Sequence, residues 1–223
     1  MATEEAEQHA RKLAAEAIAA GDPTSWFERL YAEAEAGTAV VPWDRRAPST
    51  LISRWLDEQQ VSGDGQSAVV VGTGLGDDAE LIASLGFDTI AFDISPTAIA
   101  AAQRRHPGSA VRYQTADLIS PPEAWRHAFD LVVDGLALQS MPDPPRHLAL
   151  AAIGELVAPG GRLLVTARAR EANEQVTGPP FALTRHEIDS IAGPGLRIAS
   201  VDDLRDTPGM TPARRWRVVY QRD

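Results

Sequence analysis

The chain contains no cysteine. Disulfide bridges, thiolate metal sites and cysteine nucleophiles are therefore excluded. It also lacks any apolar run approaching the ~18 residues of a membrane-spanning helix. The first residues, MATEEAEQHARKL, are acidic and have no apolar stretch of the signal-peptide kind. The expected location is cytoplasmic. Basic charge is scarce: 21 lysines and arginines against 31 acidic residues leave a formal net charge of −10. That balance argues against a nucleic-acid backbone or an anionic membrane as partner and leaves a small molecule. His9, His106, His127, His147 and His186 show no metal-ligand spacing, so no metal is expected. What remains is ordinary for a globular protein: 223 residues, 44% apolar and 23% charged, room for one α/β domain with extensions.

Apolar residues at helical spacing predict a first helix over residues 3–20, ended by Gly21. Asp22 as N-cap and Pro23 at the first helical position predict a second helix to about Ala36. Residues 38–50 read as an irregular linker. This divides the chain into an N-terminal helical cap and linker, 1–49, and a main domain, 50–223. In the main domain, strands expected at 68–71, 89–92, 111–115, 129–133 and 162–166 alternate with helices at 77–84, 95–105 and 145–157. Pro159-Gly160-Gly161 is expected to break the last of these helices. Thr184 and Glu187 have capping-box spacing, and two final strands are expected at 196–201 and 216–220. Such alternation predicts a mostly parallel, Rossmann-like sheet of about seven strands, the last antiparallel, with helices on both faces. Ligands then bind at the carboxyl ends of the strands, near the switch in strand order.

The loop Gly72-Thr73-Gly74-Leu75-Gly76 follows the first strand of the main domain and opens a helix. Alone it is a weak signal, compatible with a simple strand-to-helix turn. Asp93 ends the next strand, where a carboxylate accepts hydrogen bonds from ribose hydroxyls, and Asp117 follows the third, within reach of an adenine amino group. A helix cap and a turn aspartate are the bland alternatives. The three features in register point to a nucleotide-type cofactor. The G-x-G-x-G spacing is not the dinucleotide G-x-G-x-x-G. Asp77 and Asp78 at the helix start would repel a pyrophosphate but suit the sulfonium and ammonium of S-adenosylmethionine.

With these residues in place, VVVGTGLGDDAELIASLGFDTIAFDISPTAIAAA, FDLVVDGLALQSMP and LVAPGGRLLV together resemble the class I S-adenosylmethionine-dependent methyltransferases over about residues 65–170. Trp26, Pro42-Trp43-Asp44, Pro145-Arg146 and Gly178-Pro179-Pro180-Phe181 are similar to the thiopurine and halide/thiol methyltransferase group. The resemblance implies methyl transfer to a small nucleophile, with S-adenosylhomocysteine as product. It places Trp26, Trp43, Gly72, Thr73, Gly74, Gly76, Asp93, Ile94, Asp117, Leu118 and Asp134 around the cofactor. It gives Asp134 and Arg146 substrate-side, catalytic roles. Arg45-Arg46 departs from the small or amide-bearing pair usual in halide/thiol members, which speaks against a plain halide and suits an anionic substrate.

Each aromatic and charged candidate also has a packing reading. Trp26 and Trp43 either cover the cofactor or fix the N-terminal helices; Arg146 is either a substrate ligand or a solvated helix residue. Gln139 and His147 are weaker candidates, for polarising a substrate and for a base. The expected mechanism is in-line attack on the sulfonium methyl, driven by positioning and exclusion of water. A thiol, partly ionised near neutral pH, needs no strong base. Three rivals stand beside this reading: an O- or N-methyltransferase of a phenol or heterocycle, an NAD-dependent oxidoreductase, and a non-catalytic protein of the same fold.

Overall fold

The structure, a computed structural model, describes residues 2–176, 178–205 and 212–223. Seven strands, β1 (Ser67–Val71), β2 (Asp88–Asp93), β3 (Arg112–Thr115), β4 (Phe129–Asp134), β5 (Val157–Arg168), β6 (Leu196–Leu204) and β7 (Arg215–Arg222), form one sheet in the order β3-β2-β1-β4-β5-β7-β6. Six run the same way. Strand β7, inserted between β5 and β6, opposes both neighbours. The expected mixed sheet of about seven strands is present. The chain winds outward from β1 to β3 and then crosses to β4 on the other side. This reversal separates the loops after β1 and β4 and opens a crevice above their carboxyl ends.

Alternation along the strands builds two cores. Val69, Val71, Phe92, Val132, Leu163 and Val165 face one way and pack with Leu150 and Ile153 of helix α7 (Pro145–Gly154). Ala68, Val70, Ala91, Leu131 and Val133 face the other way. They pack with helices α3 (Thr50–Glu58), α4 (Asp77–Ser84) and α5 (Pro96–Arg105) through Ile52, Ile82 and Ile99. Strands buried on both faces must read as continuous apolar runs, which is why β1 is Val-rich.

Helices α1 (Ala2–Ala19) and α2 (Trp26–Glu35) form a third cluster around Leu13, Trp26 and Leu30. They are tied to the main sheet by charge. Glu28 accepts hydrogen bonds from the hydroxyls of Ser95 (2.6 Å) and Thr97 (2.5 Å) at the start of α5. Asp44 takes both Nη atoms of Arg105, at 2.8 and 2.7 Å, from the far end of the same helix.

Local chemistry accounts for the element ends and for two departures. Ser95 accepts the Ala98 N–H and caps α5, and Thr184 and Glu187 form the expected capping box on helix α8 (Arg185–Asp189). Helix α2, however, starts at Trp26 rather than Pro23. The Ser25 N–H and hydroxyl both donate to the Asp22 carbonyl, at 3.2 and 2.8 Å, and close a separate turn first. Nor does Pro159-Gly160-Gly161 divide helix from strand: α7 ends at Gly154, and β5 runs from Val157 through the triplet. Its pairing with β4 shifts register between Phe129 and Leu131, and Gly160 takes φ +77° to allow it. Helix α6 (Ala137–Ser140) is too short to leave a periodic signal.

Candidate functional site

The loops at the carboxyl ends of β1 to β5, together with α1, α2 and residues 40–49, enclose a cavity of about 570 Å³. Its floor is the glycine loop. Gly72, Gly74 and Gly76 all have positive φ, at 55°, 54° and 94°. A Cβ on Gly72 would meet the Ala137 Cβ at 2.5 Å, and one on Gly74 the Tyr31 Oη at 2.8 Å. The glycines are thus required by α6 on one side and by α2 on the other. Thr73 sits between them with its buried hydroxyl unpartnered and lines the cavity.

Beside this floor stands an acidic wall. Asp93 is buried, with Oδ2 accepting from the Gly74 N–H (2.9 Å) and Oδ1 from the Ser95 N–H (3.0 Å). Burial pushes its carboxyl up; the Ser95, Gly74 and Ile94 N–H groups pull it back. A carboxylate has lone pairs to spare beyond these bonds. Ile94, Asp117 and Leu118 continue the wall. Asp117 also accepts the Ile119 N–H at 2.9 Å, so its turn role and its cavity position coexist. Asp78, which the sequence suggests only as a helix-start charge, is a wall residue. Desolvation raises its carboxyl to about 6, against a hydrogen bond from the Ser49 N–H (2.6 Å). Asp77 also lines the cavity but is paired with Arg105 at 3.3 Å. Trp43 lines the cavity and donates from Nε1 to Tyr31 Oη at 2.9 Å, so two rings lie over the glycine loop.

Four expected residues fall outside the cavity wall. Trp26 is buried in the α1–α2 cluster and backs Trp43 edge-on, with ring centroids 6.0 Å apart. The sequence aims Asp134 at the site, but its fully buried carboxyl lies under Gly135 and Leu136. Helix α6 begins at once after β4, and its first N–H groups claim the carboxylate: Oδ1 accepts from Ala137 (2.9 Å) and Leu138 (3.2 Å). Oδ2 has no partner, and desolvation raises the group to about 7. Asp134 thereby holds Leu136, a cavity residue with the strained φ of 149°. Arg146 is buried in a neighbouring pocket with Pro142, Arg170 and Phe181. Its Nη2 lies 2.7 Å from both Asp143 and Glu187, the pairing a buried guanidinium requires. His147 is exposed and outside the cavity.

Across from the acidic wall is a basic one. Arg45 from the linker, Arg168 at the end of β5 and Arg215 at the start of β7 all line the cavity. Arg168 and Arg215 are direct cross-strand partners. The Arg215 guanidinium is buried and donates to the Ala213 carbonyl at 3.0 Å. Burial and then the charges of Arg168 and Arg45 push its pKa down. Arg46, exposed like Arg45, lies outside the wall. Gln139 lines the cavity, with Oε1 accepting from the Arg168 N–H at 2.6 Å. Arg168, Arg215 and Tyr31 are the cavity groups that sequence reasoning missed, and none of them carried a local signal. Among the described residues no helix is long and apolar enough to cross a membrane.

The family model described as thiopurine S-methyltransferase matches residues 33–220. A curated relative from Arabidopsis thaliana, named "Probable thiol methyltransferase 2", is 24% identical over 205 residues, covering 86% of this chain and 89% of the relative. Among solved structures, one described under the conversion of a disulfide bond into a thioacetal group during echinomycin biosynthesis superposes with a TM-score of 0.70 at 20% identity, covering 88% of this chain and 93% of its own. A Burkholderia thailandensis 1,6-didemethyltoxoflavin-N1-methyltransferase with bound S-adenosylhomocysteine gives a TM-score of 0.66 at 16% identity, covering 89% and 86%.

Proposed function

This chain belongs to the thiopurine S-methyltransferase family and is an S-adenosylmethionine-dependent methyltransferase, and we propose that its acceptor is the sulfur of a small-molecule thiol or similarly soft nucleophile. The observation that carries this reading is the divided cavity, acidic at Asp78, Asp93 and Asp117 and basic at Arg45, Arg168 and Arg215. The unpartnered Thr73 hydroxyl and the acidic wall fit a cationic cofactor that brings its own ribose and adenine. In this reading Asp93 and Ile94 hold the ribose, Asp117 and Leu118 flank the adenine, and Gly72, Thr73 and Gly74 receive the methionine part. Asp78 offsets its positive charge. Trp43 with Tyr31 excludes water, and Trp26 fixes Trp43 from behind. Residues 1–49 act as the cap over this site and residues 50–223 as the methyltransferase domain.

When bound, S-adenosylmethionine supplies an electrophilic methyl group and leaves as S-adenosylhomocysteine. The chain's own contribution is placement and charge. No histidine lines the cavity among the described residues. The guanidinium wall lowers the pKa of a neighbouring thiol and favours its thiolate, with the proton released to solvent. A hydroxyl or amine acceptor gains much less from that field, since its ordinary pKa lies far from neutral. Asp134 is read as a positioning residue for Leu136, and Arg146 as a brace for the loop carrying Gln139.

Mass spectrometry of products from a matched panel of thiol, phenol and heterocyclic amine acceptors tests this. Thiols should yield S-methyl product and S-adenosylhomocysteine in equal amounts, faster than the other classes. O- or N-methylation with thiols inert would overturn the sulfur assignment. Binding of S-adenosylmethionine without turnover on any acceptor would favour the non-catalytic reading.

A further inference from the structure

Favouring a thiolate calls for one neighbouring cation and does not explain why two arginines are paired across β5 and β7. Residues directly opposite in an antiparallel ladder share one face, with Cβ atoms about 5 Å apart, and like charges there are destabilising. Arg168 and Arg215 occupy such a pair, and both line the cavity. Arginines nearby on β7 and before it have carboxylate partners: Arg214 with Asp203 and Glu171, Arg217 with Asp202 and Glu58, Arg222 with Glu155. Among the described residues, Arg168 has no ion pair. Arg45 comes to the same wall from the linker; it too has no ion pair among the described residues, and Asp78 lies within its electrostatic reach. The fold thus brings three guanidinium groups from three separate segments to one side of an enclosed site. Asp93 and Asp117, at the ends of β2 and β3, lie on the far side of the sheet from β5 and β7, whereas Asp78 sits between them and Arg45. Met141, Ala167 and Pro180 add apolar surface to the same cavity, beside the polar Gln139 and Thr166.

We infer that Arg45, Arg168 and Arg215 form a recognition site for a carboxylate carried by the methyl acceptor, so that the substrate is an anionic thiol with an apolar body. The inference rests on the cavity assignment proposed above. Guanidinium forks match a carboxylate in bidentate geometry, and a bound anion relieves the repulsion between Arg168 and Arg215. The carboxylate end would sit toward β5 and β7, and the sulfur toward the glycine loop. The linker arginine makes the site depend on the cap: Arg45 reaches the wall only when residues 40–49 lie across the cavity.

The test separates carboxylate recognition from sulfur chemistry. Protein saturated with S-adenosylhomocysteine is titrated calorimetrically with 4-methylphenylacetate and with 4-methylphenylacetamide, neither of which has a thiol. The carboxylate should bind about tenfold or more tightly than the amide, the size expected of charge-assisted hydrogen bonds. The preference should shrink as salt rises from 0.05 to about 0.5 M and the charges are screened. Arg168→Gln should bring the two ligands to within about twofold, on the same scale. Arg45→Ala, in an exposed linker where folding is not at stake, should cut the preference by several-fold. In turnover, 4-mercaptophenylacetate should exceed 4-mercaptophenylacetamide in kcat/KM through a lower KM. Equal binding of acid and amide, or a preference untouched in both variants, would overturn the inference. So would variants that lower kcat equally for both thiols without altering binding, since the arginines would then act on the thiolate alone. Should thiols prove inert while the acid preference persists, the sulfur assignment fails and the carboxylate site stands.

Discussion

Replacing Asp134 by asparagine should remove a large share of the protein's loss of stability between pH 5 and pH 8. The native carboxyl keeps its proton to about pH 7, whereas the same group in the unfolded chain releases it near the ordinary value of 3.8. Over that window the native state binds more protons than the unfolded state, so stability falls as pH rises. Between pH 5 and pH 8 the penalty spans about two pH units of slope, or about 3 kcal/mol at ~1.4 kcal/mol per unit. The cause is geometric: Oδ1 is bonded to the α6 N–H groups, but Oδ2 is buried and alone. Asparagine retains the acceptor and cannot ionise. The cost of an amide without a partner is the same at every pH.

Urea unfolding of wild type and Asp134→Asn at pH 5, 6, 7 and 8, without ligand, reads the effect directly. The gap between the two should shift by about 3 kcal/mol in favour of the variant, equivalent to ~6–12 °C in Tm for a domain this size. Other titrating groups, including Asp78 with its own raised carboxyl, are present in both proteins and largely cancel. Parallel stability curves with unchanged m-values would refute the reasoning, because Asp134 would then carry no buried charge.

Further predictions concern the cavity and its neighbour. The Asp78 carboxyl titrates near 6 in the cavity wall, and a bound cation favours its ionised form. Calorimetric affinity for S-adenosylmethionine should therefore rise from pH 5 to pH 7 and level off, and be weaker and nearly flat in Asp78→Asn; a flat wild-type profile contradicts this. Gly74→Ala places a Cβ 2.8 Å from Tyr31 Oη at φ +54°. The left-handed backbone alone costs about 1–2 kcal/mol, and displacement of Tyr31 should weaken cofactor binding by more than tenfold; wild-type affinity would show that the loop has room to spare. Arg146→Met breaks the pairs with Asp143 and Glu187. It should cost about 3–5 kcal/mol of stability on denaturation and leave the acceptor KM of the folded protein unchanged. A raised KM with unchanged stability would return Arg146 to the substrate.

The half of the site that could be read from sequence is the half built locally. Gly72 to Gly76 start directly after β1, Asp93 is the last residue of β2 and Asp117 comes two residues after β3, so a strand pattern is enough to align them. The same locality explains where reading failed nearby. Asp134 also ends a strand, but the chain turns directly into α6, too short to detect, and the helix start takes the carboxylate away from the cavity. Arg146 follows the same segment, yet a buried cation needs partners, and Glu187, which supplies one, comes from the distant capping box of α8.

Of the basic wall only Arg45 could be read, because the rest exists only through topology. Arg168 and Arg215 meet because β7 enters antiparallel between β5 and β6, a pairing no local pattern announces. The composition even points the other way, since a net charge of −10 conceals a cavity with a cationic side. The charge argument at the glycine loop is also narrowed by the fold. Asp77 and Asp78 both line the cavity, but the charge of the first is already paired with Arg105, whereas the second has no ion pair among the described residues. Opposite charges held on opposite sides of one enclosed space cannot neutralise each other without closing it. An acceptor with a negative group and a cofactor with a positive one satisfy both walls at once, and so each favours the binding of the other. That coupling makes its own demand: affinity for the anionic acceptor should be higher with S-adenosylmethionine, or its neutral-sulfur product, in place than in the protein alone.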